Sequence, residues 1–395
     1  MKRVWFGPKM IEGLLYAKAL GTIDTLFTKE PVELELPHSL IVMANKSSEN
    51  NLQTIVDILY EETKSLIEEI DFNDILFYAL PTTLKSCIAS NFNRIESNRL
   101  KQRILFSRAV SVPPSQSFFC NGNKIVAQYN NTSGGTGTFL INNVENYSHF
   151  LREKSEPDIV SDFIENAIPL SVQMYVTKEG ILWSTPCVQL CKRVNLSYYD
   201  QFLFRGVDYS AYKQFPQAIK NKIFDFIAGA AEVVYKNMEI GWVGIDFLID
   251  KTSNLYFCEL NNRLHASTAS LTLAENEFYG RSTMELFFNN KIPNGPMEVD
   301  ISYYYIKVGD VAQGKELETG IYNSQGKKVD NLTYANLSFK SLLLDHFMLI
   351  RTTEDHNSNN RKTWATICCR QRIFDGSCLT EKFQTFLKNL GLNNA

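Results

Sequence analysis

The stretch that most constrains the fold is Gly244–Arg263, GIDFLIDKTSNLYFCELNNR. Two apolar runs flank a polar turn, which predicts an antiparallel β-hairpin. If Asp250 pairs with Leu255 across the loop 251–254, Asp246 lies directly opposite Glu259, with the side chains roughly 5 Å apart. The two-residue period of a strand then places Asn261 and, if the strand continues, Arg263 on the same face. Two acids, an amide and a guanidinium are therefore expected together on one sheet.

Facing carboxylates repel each other, so such a pair persists where a cation lies between the acids. Carboxylate and amide oxygens are hard ligands suited to Mg²⁺ that carries the phosphates of a nucleotide. Arg263 is placed to reach an anion at the same centre. The alternative is an ordinary solvated hairpin face, and the apolar residues that flank both acids argue against it.

Two further segments carry weaker signals. Ser133–Gly137 (SGGTG) lies between the predicted strands Lys124–Tyr129 and Phe139–Ile141, where glycines allow backbone amides to approach phosphate oxygens. It is neither a Walker loop nor a Rossmann fingerprint, and taken alone it is more typical of a flexible hairpin. Ile159–Glu165 is an apolar strand that ends in acids, and alone it indicates a core strand with a polar end.

In this order and at these spacings, the three segments resemble the ATP-grasp ligases, a likeness that runs from about Asn98 to Arg263. The resemblance implies that Asp246, Glu259 and Asn261 hold Mg²⁺, or alternatively Mn²⁺. It also implies that Arg263 acts as the catalytic residue that steadies the phosphoryl group or the tetrahedral intermediate. It implies that Ser133–Gly137 is a glycine-rich lid over the phosphates and that Val160–Glu165 is an interdomain hinge whose backbone contacts adenine. The residues that it assigns to ATP are Arg99, Gln128, Ser133, Gly134, Gly135, Thr136, Gly137, Asp162, Phe163, Ile164 and Glu165.

One position departs from the family pattern. Gln128 stands where the family usually has a strand lysine that contacts the phosphates, whereas Arg99 keeps the charge at the other usual lysine position. Either a nearby cation such as Lys124, Lys192 or Arg193 compensates, or nucleotide affinity is weaker than usual. Pro169 occupies a place where a ribose-binding polar residue is often found, which leaves Glu165 for that role.

The chain is predicted to be an α/β protein with an ATP-grasp fold. Residues 1–97 are expected to form a Rossmann-like α/β domain, because a strand at 39–44, a helix at 52–70 and a strand at 74–80 follow one another. Residues 98–292 form the predicted two-lobed core, with a lid lobe at about 112–168 and a metal and substrate lobe at about 169–292. Residues 293–395 form a C-terminal extension. Within the core, strands are predicted at 159–164, 170–177 and 181–190, and a long helix at 215–238.

Composition excludes several classes of function. The 395 residues include 40 Lys and Arg against 43 Asp and Glu, a net charge of −3, which gives no basic field to attract nucleic acid or an anionic membrane. No run of 18 apolar residues occurs, so a cytoplasmic protein without a membrane span is expected. The eight cysteines are scattered, and Cys187 and Cys191 are expected to be packed strand residues rather than zinc ligands.

The predicted function is an ATP-dependent ligase. It would activate a small carboxylate, such as an amino acid, as an acyl phosphate and transfer the acyl group to an amine, giving ADP and phosphate. The acceptor is left open, since a thiol, including the pantetheine of a carrier protein, or a peptide would serve as well. The alternatives are a non-catalytic nucleotide-binding regulator and, ranked lowest, a purine-pathway or biotin-dependent carboxylase. The oligomeric state is also open, a homodimer included.

Overall fold

The protein is an α/β structure with one parallel and one large antiparallel sheet. The computed structural model describes residues 3–29, 31–44, 52–70, 75–79, 81, 84, 98–114, 124–130, 132, 134–176, 180–237, 241–289, 297–311, 316–352, 363–375 and 378–392. Among the helices of these ranges, none combines the length and the apolar character required to cross a membrane.

The N-terminal region is built on a parallel sheet. Its elements are β1 (Arg3–Phe6), α1 (Met10–Leu20), β2 (Ile23–Thr28), β3 (Ile41–Ala44), α2 (Leu52–Ile67) and β4 (Ile75–Phe77). The strand order is β3-β2-β1-β4, and every neighbouring pair is parallel. The strand–helix–strand unit predicted for this region is confirmed as β3, α2 and β4, although Asp74 and Leu80, at the ends of the last strand, lie outside the described residues. Trp5 and Phe6 are fully buried and form the centre of this core.

The second sheet holds the central part of the chain. Its strands there are β5 (Ile125–Gln128), β6 (Thr138–Ile141), β7 (Ile159–Asp162), β8 (Ile168–Val176), β9 (Ile181–Trp183), β10 (Cys187–Asn195), β11 (Asp200–Asp208), β12 (Gly241–Ile249) and β13 (Leu255–Asn261). The helices are α3 (Arg99–Phe106), α4 (Val144–Glu153), α5 (Ser210–Lys213), α6 (Gln217–Asn237), α7 (Thr268–Tyr279) and α8 (Thr283–Phe288). Strands β5, β6 and β7 with α4 make a small lobe around Phe139 and Phe150, which joins the sheet through β6 and β11.

The C-terminal residues continue the same sheet. They form β14 (Ser302–Lys307), β15 (Gly320–Asn323), β16 (Lys328–Asp330), β17 (His346–Arg351), β18 (Thr363–Cys369), β19 (Phe374–Asp375), β20 (Cys378–Leu379) and α9 (Glu381–Asn389). Strands β19 and β20 pair with each other in a separate two-stranded sheet. Strand β14 pairs with β11, so this region is hydrogen-bonded to the central strands. Alternate residues of β14 face opposite cores: Tyr303 and Tyr305 pack with the N-terminal region, and Tyr304 packs against Phe383 of α9.

Two sequence interpretations of the central region are wrong or incomplete. The single strand expected at 181–190 is divided into β9 and β10, because Pro186 lacks the N–H that an unbroken strand needs there. Strand β11 was not predicted, since Asp200, Arg205 and Asp208 break its apolar pattern, yet all three are buried. The helix expected at 215–238 is confirmed as α6, and Asn98 caps α3 by accepting a hydrogen bond from Lys101 N.

Candidate active site

The hairpin of β12 and β13 places Asp246 directly opposite Glu259, and Gly244 opposite Asn261. The predicted register at the two acids is confirmed, although the turn is one residue longer than expected, because Ile249 rather than Asp250 pairs with Leu255. A β-bulge after Asp246 leaves Cys258 without an opposite residue. This extra residue compensates for the longer turn and restores the predicted pairing of Asp246 with Glu259. Bulges of this kind often lie beside functional sites, where they re-aim side chains.

The carboxylate of Asp246 is held by three side chains. Ser171 of β8 donates to Oδ1 at 2.7 Å, Gln189 of β10 donates to Oδ1 at 2.9 Å, and Asn261 donates to Oδ2 at 3.2 Å. Burial raises the pKa of Asp246, while the hydrogen bond from Ser171 and the nearby charge of Arg263 oppose that rise. The acid is therefore fixed in position but carries no direct ion pair within the described residues.

Glu259 is paired with Arg99 of α3. Arg99 Nη2 lies 3.0 Å from Glu259 Oε1, and the same guanidinium donates to the carbonyl of Tyr129 and to Thr132. Burial raises the pKa of Glu259, Arg99 lowers it, and the facing Asp246 raises it again. Arg99 thus ties one of the two acids to the loop that follows β5.

Arg263 lies beside these acids and contacts the N-terminal region. Its Nη2 donates to Asn261 Oδ1 at 3.1 Å, and its Nη1 donates to the Tyr78 hydroxyl at 3.1 Å. The guanidinium carbon is 5.7 Å from the centre of the Tyr78 ring. Tyr78 also accepts a backbone hydrogen bond from Leu264 N at 3.2 Å, so the N-terminal region fixes the position of this arginine.

A cavity of about 1070 Å³ contains this cluster and extends between the N-terminal sheet and the small lobe. Its walls include Gly134, Gly135 and Thr136 of the glycine-rich loop. Gly135 has φ +79, and a Cβ atom at this position would lie 2.3 Å from the carbonyl oxygen of Phe202. Only glycine lets the loop lie this close to β11, and Phe204 N donates to Gly134 O at 3.0 Å.

Residues 162–165, in the predicted hinge, also line the cavity. Asp162 N donates to Pro114 O at 3.0 Å and Phe163 N donates to Lys124 O at 3.1 Å, which fixes the backbone at the end of β7. The ring of Phe163 stacks on Phe202 of β11, with 6.3 Å between the ring centres. The cavity therefore has an aromatic and backbone-lined rim at one end and the acid cluster on β12 and β13.

Comparisons with known proteins match this geometry. The family model described as an ATP-grasp domain matches residues 97–267. Residues 97–267 are an ATP-grasp domain. The acid cluster, the glycine-rich loop and the hinge all lie inside it, so the resemblance seen in the sequence is confirmed for this domain.

Solved structures extend the likeness beyond this domain, over nearly the whole chain. An L-amino acid ligase from Bacillus licheniformis has a TM-score of 0.59 at 13% identity, covering 99% of this chain and 97% of that one. The biotin carboxylase domain of the Hydrogenobacter thermophilus 2-oxoglutarate carboxylase, bound to MgADP, ADP and bicarbonate, has a TM-score of 0.58 at 12% identity, covering 93% and 86%. N5-carboxyaminoimidazole synthase from Aspergillus clavatus, bound to ADP and 5-aminoimidazole ribonucleotide, has a TM-score of 0.57 at 12% identity, covering 98% and 97%.

At such identities these likenesses establish the fold. A search of curated proteins finds no match to this chain. The α/β class and the ATP-grasp fold predicted from the sequence are confirmed.

Most residues that the sequence assigns to the site line the cavity of the ATP-grasp domain. These are Gln128, Gly134, Gly135, Thr136, Asp162, Phe163, Ile164, Glu165, Asp246, Glu259, Asn261 and Arg263. Arg99 and Gly137 do not line it, and Ser133 lies outside the described residues. Their roles toward a ligand remain predictions.

The cations proposed to compensate for Gln128 already pair with acids. Lys124 is 2.6 Å from Glu165 and Lys192 is 3.6 Å from Asp310, while Arg193 forms an ion pair with Asp200. Whether one of them compensates for Gln128 when nucleotide is bound stays a prediction.

Sequence reasoning missed several residues around the acids. Ser171 and Gln189 lie on strands that become neighbours of Asp246 only once the sheet order is known. His265 also lines the cavity, and its Nδ1 lies 3.0 Å from the Ser171 hydroxyl. Burial, with a smaller effect of Arg263, lowers the pKa of His265 to about 3, so its imidazole is neutral.

Proposed function

We propose that the protein is an ATP-dependent ligase that joins a small carboxylate to an amine, with ATP and Mg²⁺ bound in the ATP-grasp cavity. The observation that carries the proposal is the cluster of Asp246, Glu259, Asn261 and Arg263 on the wall of a cavity that the glycine-rich loop also lines. This is a set of hard oxygen donors with a cation beside it, which suits a metal-bound phosphate.

The residues fit Mg²⁺. The two acids face each other with Arg99 as the direct ion partner of one of them, so a cation between them relieves their repulsion. Within the described ranges, no three His, Cys, Asp or Glu side chains gather as a candidate metal site. That accords with Mg²⁺, which usually takes one or two carboxylates and completes its shell with water and phosphate oxygens. When bound, Mg²⁺ would neutralise phosphate charge and orient the transferred group.

The proposed reaction has two steps. A substrate carboxylate oxygen attacks the γ-phosphorus of ATP, the bond from that phosphorus to the bridging oxygen breaks, and ADP leaves. The amine nitrogen then attacks the acyl carbon, the carbon–oxygen bond breaks, and phosphate leaves as the nitrogen loses a proton. Arg263 would stabilise negative charge in both steps, and the glycine-rich loop would keep water from the acyl phosphate.

The end of the cavity nearest the N-terminal region carries positively charged side chains, which favours a substrate with a negative charge. Lys9 Nζ lies 4.0 Å and Lys307 Nζ 5.0 Å from the centre of the Tyr305 ring, and all three residues line the cavity. Two ammonium groups held against one aromatic ring create positive potential that favours a carboxylate. The N-terminal and C-terminal regions would thus select the substrate that the ATP-grasp domain activates.

The test is nucleotide turnover with pooled amino acids and small acids, each pool with and without amines or thiols. Acid-dependent release of ADP and phosphate, with an amide found by mass spectrometry, supports the proposal, and a thioester identifies a thiol acceptor instead. Glu259→Gln should abolish this release, whereas Asp225→Asn, on the exposed face of α6, should retain it. AMP and pyrophosphate as products would overturn the acyl-phosphate chemistry.

A further inference from the structure

Arg103 is a buried cation inside the cavity that the sequence did not single out. It lies one helical turn after Arg99 on α3, and both residues are 4% exposed. Arg99 is engaged by Glu259, Thr132 and the Tyr129 carbonyl, and it does not line the cavity. Arg103 does line the cavity, so the helix directs its second buried arginine toward the ligand space.

The guanidinium of Arg103 is only partly satisfied. Its Nη2 donates to Gln128 Oε1 at 2.5 Å. Its Nε and Nη1 are buried and have no hydrogen-bond partner among the residues that the structure describes. Arginine stays charged in proteins, and it presents five donors in a fixed fork. Two donor nitrogens without a partner among the described residues, on a buried cation, indicate that a ligand completes the site.

Among the residues that the structure describes, the acids of the cluster do not supply that partner. Glu259 is bound by Arg99 at 3.0 Å, and Asp246 accepts hydrogen bonds from Ser171, Gln189 and Asn261. Gln128 contributes a neutral amide oxygen, and its Nε2 lies 3.4 Å from Thr138 Oγ1 at the base of the glycine-rich loop. A charge buried without a counter-charge is unfavourable, so the structure favours an anion beside it.

We propose that Arg103 binds a phosphate group of the nucleotide, held in place for this by Gln128. The wall of the same cavity includes Gln128, which Arg103 contacts, and Thr132, Gly134, Gly135, Thr136 and Thr138. Hydroxyl groups and loop amides of this kind bind phosphate oxygens, and the arginine fork makes two parallel hydrogen bonds to them. The positive charge missing at Gln128 is thereby provided from the neighbouring helix. This assignment rests on the proposed nucleotide-binding function.

The experiment compares MgADP affinity, by calorimetry, with the melting temperature of the ligand-free protein. Arg103→Gln should weaken MgADP binding about 10- to 100-fold, because a charge-assisted pair of hydrogen bonds is lost. It should leave the melting temperature unchanged or raise it, because an unpaired buried charge is removed. Lys101→Gln, which removes one exposed charge from the same helix, should change neither quantity.

A double variant tests whether the charge itself matters. Arg103→Gln with Gln128→Lys moves the cation to the residue that now hydrogen-bonds Arg103, and it should recover part of the lost affinity. Unchanged MgADP affinity in a folded Arg103→Gln protein would overturn the assignment alone. A lower melting temperature without loss of affinity would make Arg103 structural and also overturn it. A wild-type protein that binds no MgADP would overturn both this assignment and the proposed function.

Discussion

A Cβ atom on Gly244 would lie 1.5 Å from Nε2 of His265, so the imidazole ring occupies the space that any other residue at position 244 would need. His265 Nδ1 is 3.0 Å from Ser171 Oγ, and the single hydroxyl proton of Ser171 goes to Asp246. The neutral imidazole therefore donates from Nδ1, and the chain His265–Ser171–Asp246 orients the carboxylate of Asp246. Gly244 is thus a structural requirement of the acid site.

Gly244→Ala should displace His265 and lower stability by about 1–3 kcal/mol, as overpacking does in a buried site. Adding His265→Ala opens the space again. Denaturant unfolding of both single variants and the double variant should give a favourable coupling of at least about 1 kcal/mol. A Gly244→Ala protein as stable as wild type would contradict the close contact.

The glycine-rich loop offers a second test, since two neighbouring glycines differ in their surroundings. Gly135 (φ +79) contacts the backbone of Phe202, whereas Gly134 (φ +60) has nothing within 4 Å of a Cβ. Gly135→Ala should push the loop away from β11 and weaken MgADP binding about tenfold or more. Gly134→Ala has comparable backbone strain without the clash and serves as the matched control. Equal MgADP affinities in the two variants would show that the contact between this loop and β11 does not affect nucleotide binding.

A buried acid outside the site predicts a pH dependence of stability. Glu275 of α7 is 1% exposed and accepts hydrogen bonds from Thr283 N at 2.7 Å and Thr283 Oγ1 at 2.9 Å. Burial raises its pKa to about 8, against hydrogen bonds that lower it. The folded state therefore holds a proton that the unfolded state loses above its ordinary pKa of 4.5, and stability falls as the pH rises from about 4.5 to 8.

Glu275→Gln should remove this dependence, because the amide resembles the protonated acid. Relative to wild type, the variant should gain stability between pH 5 and pH 8, by up to about 4 kcal/mol in the free energy of unfolding. Glu61, an exposed acid, provides the control. Glu61→Gln should show the same fall in stability between pH 5 and pH 8 as wild type. Parallel curves for wild type and Glu275→Gln would show that Glu275 ionises normally in the folded protein.

The acid pair was predictable because its evidence is local. Alternation along β12 and β13 fixes which side chains share a face, and the pairing of Asp246 with Glu259 follows from a short turn. The estimate of the turn was one residue short, and the bulge at Cys258 compensated for that error. Local pattern therefore gave the right pairing, although it contained no sign of the bulge.

The rest of the site depends on long-range topology. Ser171 and Gln189 reach Asp246 only because β8 lies between β12 and β10, an order that no local pattern encodes. Lys9, from the N-terminal region, meets Lys307 at Tyr305, although the two lysines are far apart in the sequence. Arg103 is different, since its spacing of four residues from Arg99 already places the two on one helical face. The sequence therefore already contains a signal for this second arginine.

The most direct test of the account is the dependence of nucleotide binding on Mg²⁺ and on the two facing acids. ADP would be titrated calorimetrically into wild type, the Asp246→Asn and Glu259→Gln double variant, and Asp225→Asn, each with Mg²⁺ and with a chelator. The account predicts that Mg²⁺ strengthens binding to wild type and to Asp225→Asn and has no such effect on the double variant. Binding to wild type that is the same with and without Mg²⁺, or a double variant that keeps the full Mg²⁺ effect, would contradict the account.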